Sequence, residues 1–344
     1  MVSNSARPKR ATLRDVARHA KVSVATVSRV LNGAASVSAD TRMHVTSAIE
    51  ALGFVPSAAA RTLNSGRSKS IGALVPTLDH SIFARDLDAL ENRLSQQGYA
   101  LVVAVTGGAP EVEERKAMGL LDMGVDGLIV SGRTHSAGFD GLVDRFQVPT
   151  LITSYYDPAA RYPTIGYDNA SIAVKALNFL RSLGHASIAV IHGPTEVNDR
   201  IEARIGAIDA ASAGQSVQFQ RVSMDVAGGA DAVRRIASDR TRPTALLCLS
   251  DVQALGALFE LQRHGISVPE QISLMGFDDL EWSAVSMPGI TSIKLPAARM
   301  GEAAADALVA WLNAERPPKS AALAAEIVVR GSTRRLDPPE GGSA

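Results

Sequence analysis

The chain has 344 residues with 35 basic (Lys and Arg) and 35 acidic side chains, so its formal net charge is zero. The length predicts two or three domains, and a hydrophobic fraction of 46% predicts a globular protein. A single cysteine, Cys248, excludes an internal disulfide or a cysteine-rich zinc module. The sequence has no apolar run near the roughly 18 residues that span a bilayer, and its N-terminus is polar. We therefore expect a cytoplasmic protein.

The zero net charge conceals a basic N-terminal segment. Residues 1–70 carry eleven basic and three acidic side chains, an excess of +8, and the remaining 274 residues carry an excess of −8. A basic head on an acidic body predicts that only the head meets a polyanion.

Three short helices are predicted in this head. Thr12, Ser23 and Ser38 are favourable N-caps for helices over residues 13–20, 24–31 and 39–52. The positions predicted to face inward are Val16, Ala17, Ala20, Val27, Val30, Leu31, Val45, Ile49 and Leu52. Two helices joined by a tight turn, with a positive surface, favour a helix-turn-helix DNA-binding head. The alternative is a three-helix bundle with a solvated basic surface.

The segment after the head is predicted to be a short helix over residues 55–64, followed by a linker over 65–69. A helix of this length is marginal alone, which suits an element that forms only when a partner holds it. Its alanine face would let a second copy approach closely, and Leu63 would project as an apolar tip.

From residue 70 onward, short β-rich apolar runs alternate with helical segments. Strands are predicted over residues 71–75, 99–103, 127–130, 151–153, 187–191, 245–249 and 272–277, and helices over 82–97, 111–123, 199–213, 251–264 and 297–313. This alternation predicts an α/β body of two doubly wound parallel-sheet subdomains, with a ligand cleft beyond the carboxyl ends of the strands. No nucleotide-binding loop, nucleophile elbow or zinc-protease motif occurs, so we predict a sensor rather than an enzyme, with no cofactor and no metal.

Three segments resemble the LacI/GalR family of transcriptional repressors: TLRDVA at residues 12–17, VSVATVSRVLN at 22–32 and PSAAARTL at 56–63. The resemblance continues to about residue 336. It implies a helix-turn-helix domain over 1–55, a hinge helix and linker over 56–69, a periplasmic-binding-protein-like effector-binding and dimerisation domain over 70–336, and a disordered tail over 337–344. It also implies a homodimer on a pseudopalindromic DNA operator, and the tail lacks the heptads of a further coiled coil.

The resemblance also assigns DNA contacts. Val24, Ala25 and Arg29 correspond to base readers, and Arg29 can bond guanine bidentately, although it could instead be a phosphate contact. Backbone contacts are expected from Thr12, Ser23, Thr26, Ser28 and Asn32. Minor-groove contacts are expected from Ser57, Ala60, Arg61 and Leu63, with Leu63 as the wedge unless it packs onto the body. Lys21 stands where the family more often has glycine or asparagine, and a positive φ there would cost on the order of 1 kcal/mol.

The effector site combines the resemblance with strand ends. The family's contact positions correspond to Phe83, Ser154, Tyr155, Arg204, Ser250, Asp251 and Asp278, and Arg133 and His135 follow the strand that ends at Val130. Alternatives remain open: Phe83 could be core, Arg204 could form a salt bridge, and Asp278 or Asp279 could cap a helix. Asp168 and Asn169 are read as a cap or a crossing feature. Ser250 departs from the asparagine common in the family.

The basic set of Arg133, His135 and Arg204 favours an anionic effector, and residues 82–84 and 131–135 also resemble gluconate-type repressors. We therefore predict a sugar acid, with a neutral sugar second and a purine third. The function predicted is operator binding controlled by this effector, with induction and co-repression both open. The alternative is a sugar-binding or sugar-modifying protein with an incidental basic N-terminal segment.

Overall fold

The structure is a computed structural model that describes residues 11–31, 34, 36–54, 67–212, 216–238 and 242–336. The chain divides into two compact units, Met1–Ser68 and Lys69–Ala344. The predicted hinge residues Ser57, Ala60, Arg61 and Leu63, the predicted backbone contact Asn32 and the tail over 337–344 lie outside the described residues. Within the described residues, no helix is long and apolar enough to cross a membrane.

The first unit contains the three predicted helices, α1 (Leu13–His19), α2 (Val24–Leu31) and α3 (Ala39–Ala51). All three predicted N-caps are confirmed, because the hydroxyls of Thr12, Ser23 and Ser38 each accept a backbone N–H from the first turn of their helix. Thr12 also donates its own backbone N–H to the carboxylate of Asp15 at 2.9 Å, which completes a capping box.

The core of this unit joins all three helices. Val16, Val27 and Val45 are fully buried, and Phe54, which the sequence analysis did not include, packs with them. The prediction that Leu31 faces inward was wrong, since 36% of its surface is exposed. Leu31 is the last residue of α2, so it lies past the turn that supplies Val27 and Val30 to the core.

The second unit contains two lobes, each built on a six-stranded sheet. The first lobe has β1 (Ser70–Val75), α4 (Ser81–Gln96), β2 (Ala100–Val105), α5 (Pro110–Asp122), β3 (Gly127–Ser131), α6 (Ala137–Phe146), β4 (Thr150–Thr153) and β5 (Thr164–Gly166). Its strand order is β11-β5-β4-β3-β1-β2, with β11 (Ala321–Ala322) added from the far end of the chain, and its strand pairs are parallel.

The second lobe repeats the pattern. It has α7 (Asn169–Ser182), β6 (Ser187–His192), α8 (Asp199–Ala211), β7 (Ser216–Arg221), α9 (Val226–Ala237), β8 (Ala245–Cys248), α10 (Asp251–Arg263), β9 (Ser273–Asp278), α11 (Glu281–Val285) and β10 (Thr291–Lys294). Its strand order is β12-β10-β9-β8-β6-β7, parallel except where β12 (Glu326–Val328) runs antiparallel to β10. The predicted pair of doubly wound subdomains is confirmed.

The chain passes between the two lobes three times. It crosses first between β5 and α7, then returns after β10 into α12 (Ala297–Ala314), which packs on α4 of the first lobe. It crosses a third time in the few residues between β11 and β12. Three segments of the chain therefore connect the two lobes, at one side of the cleft.

Candidate functional site

A cavity lined by residues of both lobes lies beyond the carboxyl ends of the strands. The first lobe contributes Phe83, Asp86 and Ser154 to its wall, and the second contributes Arg204, Ser250 and Asp278. Five of the nine residues predicted at the effector site therefore line one cavity: Phe83, Ser154, Arg204, Ser250 and Asp278.

Arg204 is held in a single orientation by three different neighbours. Its Nε donates to Oδ1 of Asn169 at 3.0 Å, its Nη1 donates to the carbonyl of Leu249 at 3.2 Å, and its guanidinium carbon lies 3.9 Å from the ring centroid of Phe277. Burial of this side chain, which is 4% exposed, lowers the pKa of Arg204 from its usual value. These partners are an amide, a carbonyl and a ring, so the salt-bridge alternative is not the arrangement observed.

Asn169 connects Arg204 to the first lobe. Its Nδ2 donates to the carbonyl of Ser154 at 3.0 Å, while its Oδ1 receives the bond from Arg204. The preceding residue, Asp168, caps α7 by accepting the backbone N–H of Ser171 at 3.0 Å. The interpretation of this pair as a cap and a crossing feature is confirmed, and it places a buried amide between both walls of the cavity.

Asp278 ends β9 with a φ of 110°, a backbone conformation that non-glycine residues adopt at a cost. Ser250 Oγ donates to its Oδ2 at 3.4 Å. Burial raises the pKa of Asp278 to about 8, and the positive charge of Arg204 opposes part of that shift. The cap alternative fails for both acids, because Leu280 occupies the N-cap of α11 and Asp279 forms an ion pair of 2.6 Å with Arg330.

Phe83 is buried and yet lines the cavity. Its ring lies 6.4 Å from the ring of His80, and the guanidinium carbon of Arg200 lies 5.8 Å from its centroid. Phe83 therefore presents an apolar surface to any occupant, and it also belongs to the packed wall.

Arg200 and Asp86 are cavity residues that the sequence analysis missed. Helical spacing could have found both, because Arg200 precedes Arg204 by four residues on α8 and Asp86 follows Phe83 by three on α4. The Arg200 guanidinium contacts Asp199 Oδ1 at 3.2 Å, so its charge has a carboxylate partner.

Arg133, His135 and Tyr155 do not line this cavity. Arg133 is exposed and lies over the Tyr155 ring, 4.6 Å from its centroid. His135 Nδ1 lies 2.6 Å from Glu113 Oε1, and its ring stacks on Phe139 inside the first lobe. A position after a strand end was therefore not sufficient to predict a cavity residue, because these three side chains pack against groups of their own lobe.

Asp251 also stays out of the cavity, because its carboxylate holds backbone and side chains together in the second lobe. It accepts hydrogen bonds from the Leu280 backbone N–H at 2.7 Å and from the hydroxyls of Ser283 and Ser292 at 2.6 Å each. Burial raises its pKa to about 6, and these three bonds lower it in opposition. Asp251 is therefore a buried structural carboxylate. Because it does not line the cavity, its position does not support the predicted effector contact.

In the first unit, the predicted base readers lie on the outer face of α2. Val24 is 42% exposed, and Ala25 and Arg29 are exposed as well, while the predicted backbone contacts Thr26 and Ser28 are half-buried. Lys21, in the turn before α2, has a φ of 53°, so the positive φ considered for this position is present. Across the described parts of both units, no group of three or more His, Cys, Asp or Glu side chains could hold a metal ion.

Comparison with known proteins agrees with this architecture. Residues 12–57 match the family model of bacterial regulatory proteins of the lacI family, and residues 177–333 match the periplasmic binding protein-like domain. The HTH-type transcriptional repressor PurR of Aliivibrio fischeri is 32% identical over 307 residues, which cover 87% of this chain and 91% of that protein. The chain belongs to the LacI family.

Other LacI-family proteins are similar along almost the whole chain. The HTH-type transcriptional repressor CytR of Escherichia coli K12 is 29% identical over 333 residues, covering 95% of this chain and 97% of that protein. The lac repressor dimer bound to operator and the anti-inducer ONPF matches with a TM-score of 0.86 at 26% identity, covering 95% of this chain and all of that one. The resemblance to LacI/GalR repressors and the predicted fold class are confirmed, and the chain is a DNA-binding transcriptional regulator.

Proposed function

We propose that a small ligand in the cavity between the lobes controls operator binding by this LacI-family repressor. The observation that carries the proposal is that side chains of both lobes form the cavity wall, with Asn169 bonded to Ser154 on one side and to Arg204 on the other. An occupant that contacts both lobes binds one lobe arrangement better than another, and it therefore shifts the population of dimers competent for DNA.

The charges in the cavity favour a neutral ligand with several hydroxyl groups. The sugar acid predicted from Arg133, His135 and Arg204 loses two of its three supports, because only Arg204 lines the cavity. The charge of Arg200 is partnered by Asp199, and Arg204 is accompanied by Asp278. A buried guanidinium and a buried carboxyl group that line one cavity suit the donor and acceptor sites of vicinal hydroxyls, while Phe83 offers an apolar face to a sugar ring.

On the DNA side, we propose a homodimer on a two-fold symmetric operator, by analogy with the lac repressor dimer. The exposed Val24, Ala25 and Arg29 would read bases in the major groove. Arg29 would bond a guanine, and Val24 and Ala25 would contact thymine methyl groups. The minor-groove role of Leu63 stays a prediction.

A gel shift on the full chain tests the proposal. At a stated moderate salt concentration, the protein is expected to retain a two-fold symmetric fragment from beside its own gene in preference to unrelated duplex DNA. Addition of a neutral sugar that binds the protein is expected to change the amount of the symmetric fragment that is shifted. A chain with equal affinity for every duplex would instead favour the sugar-binding or sugar-modifying alternative, in which the basic segment is incidental.

Two variants separate the two halves of the function. Arg29→Ala is expected to relax base preference at one position of each half-site, by about 1–3 kcal/mol, whereas a uniform loss on all sequences would make Arg29 a phosphate contact. Arg204→Ala is expected to keep operator binding and to lose the response to the sugar. If the variant's operator binding still responds to the sugar, the ligand binds outside this cavity.

A further inference from the structure

Asp86 is a buried carboxyl group in the cavity wall that the proposed function has not used. It lies on α4 in the first lobe, three residues after Phe83, and is 3% exposed. Its Oδ1 is buried and has no hydrogen-bond partner among the described residues. A buried acceptor without a hydrogen-bond partner destabilises the fold, so this position is unfavourable unless another group satisfies it.

Close packing of α4 on α12 fixes this carboxyl group in place. Gly301 of α12 lies so near that an added Cβ would stand 2.3 Å from the Asp86 backbone oxygen and 3.2 Å from its Oδ1. Any larger residue at 301 would push the two helices apart. Asp86 is therefore closely packed against α12 while it lines the cavity.

The surroundings of Asp86 do not neutralise it. The titratable side chains that line the same cavity are His80, Tyr167, Arg200, Arg204 and Asp278. Neither arginine forms an ion pair with Asp86 among the described residues, and α12 contributes Met300 to the cavity lining and Gly301 beside Asp86. Burial alone raises the pKa of Asp86 to about 7. The carboxyl group lines the cavity from the first lobe, whereas Arg204 and Asp278 line it from the second lobe.

We propose that Asp86 contacts the ligand from the first lobe by accepting a hydrogen bond from a ligand hydroxyl or amino group. This inference rests on the proposed function and narrows the ligand class. A ligand that places a carboxylate at this position would meet a second carboxyl group in a buried site and is selected against. A ligand that donates to Asp86 and also bonds Arg204 or Asp278 would hold the two lobes in one arrangement.

The first arm of the test needs no ligand. Asp86→Asn keeps the shape of the side chain and removes its charge. Because the folded-state pKa is raised above the unfolded value, the charge costs nothing at pH near 4, progressively more up to pH 7, and its full amount above that. The variant is therefore expected to melt about 2 °C or more above the wild type at pH 8 and to lose that advantage at pH 4. The exposed matched control, Asp209→Asn, is expected to melt with the wild type at both pH values. A variant that gains nothing at pH 8 would overturn the proposal, whichever ligand binds.

The second arm uses calorimetry with four probes: D-ribose, cellobiose, D-glucosamine and D-gluconate. A probe that binds the wild type is expected to bind Asp86→Asn at least about tenfold more weakly and Asp209→Asn equally well, because a hydrogen bond to a charged acceptor is lost. D-Gluconate is expected to bind the wild type more weakly than the neutral and amino-bearing probes. Equal affinity of the wild type and Asp86→Asn would overturn the role of Asp86 while leaving the repressor function standing. An operator affinity that none of the bound probes changes would count against the proposed function instead.

Discussion

Lys21 holds a left-handed backbone conformation in the turn between α1 and α2, with a φ of 53°. A side chain in this region is disfavoured by roughly 1 kcal/mol relative to glycine. We expect Lys21→Gly to raise the free energy of unfolding of the first unit by about 0.5–1 kcal/mol, measured on the full chain by urea titration. Lys21→Ala removes the charge but keeps the strain, so it is the control. Equal stability of the two variants would show that the turn is not strained.

Asp251 is a buried carboxylate of the second lobe that accepts three hydrogen bonds. Asp251→Ala would leave one backbone N–H and two hydroxyls buried without their acceptor. We expect a loss of about 3 kcal/mol or more in the free energy of unfolding, seen as a melting temperature lowered by roughly 6 °C or more. Ser250→Ala is the neighbouring comparison, and we expect it to weaken ligand binding with little effect on melting. If Asp251→Ala instead weakened ligand binding and left the melting temperature unchanged, Asp251 would be a ligand contact.

At the residue scale, the sequence predicted the cavity in part. Phe83, Ser154, Arg204, Ser250 and Asp278 were named because a family resemblance fixes such positions through the whole fold. Proximity to a strand end misled for Arg133 and His135, because that rule gives the edge of the sheet but not the direction in which a loop turns its side chains. Asp86 and Arg200 were missed although each continues a helical face already named.

At the scale of elements, one helix of the second lobe is tied to a loop of the first. Asp199, the first residue of α8, accepts the backbone N–H groups of Arg133 at 2.5 Å and of Thr134 at 3.0 Å with its Oδ2. These residues follow β3, so a carboxylate of one lobe is bound by the main chain of the other. Such charge-assisted bonds are among the stronger hydrogen bonds of proteins.

We expect Asp199→Ala to weaken ligand binding by about tenfold, because the lobe arrangement that surrounds the cavity loses this link. Calorimetry with the tightest-binding probe measures the change. Asp209→Ala, on the same helix and exposed, is the control and is expected to bind as the wild type does. Unchanged affinity in Asp199→Ala would mean that the link does not favour the ligand-bound arrangement.

Only part of the element list could be predicted from the sequence. The buried strands β3 and β8 and the helices α4, α5, α8, α10 and α12 were named because continuous apolar runs or helical periodicity mark them, whereas the helices α6, α7 and α9 were not named. β7 was missed because an edge strand with the sequence SVQFQR buries little. β11 has two residues and β12 has three, and both owe their conformation to the strand beside them rather than to their own composition.

At the scale of the whole molecule, the two units have separate hydrophobic cores. Among the described residues, Val16, Val27 and Val45 form the core of the first unit with other residues of that unit, and the buried clusters of the second unit lie within residues 71–312. We expect calorimetric melting of the full chain to show two transitions, with a saturating probe raising only the one that belongs to the second unit. A ligand-induced rise of both transitions by equal amounts would show that the units unfold together.

The three passages of the chain between the lobes have a consequence for biosynthesis. The first lobe begins at β1 but receives α12 and β11 only after residue 297, and the second lobe is closed by β12 at residues 326–328. When the first 290 residues have been synthesised, neither lobe is complete, and α12, which packs on α4, is still missing. Both lobes receive their last elements from the C-terminal part of the chain, so a nonsense mutation before residue 297 leaves both lobes incomplete.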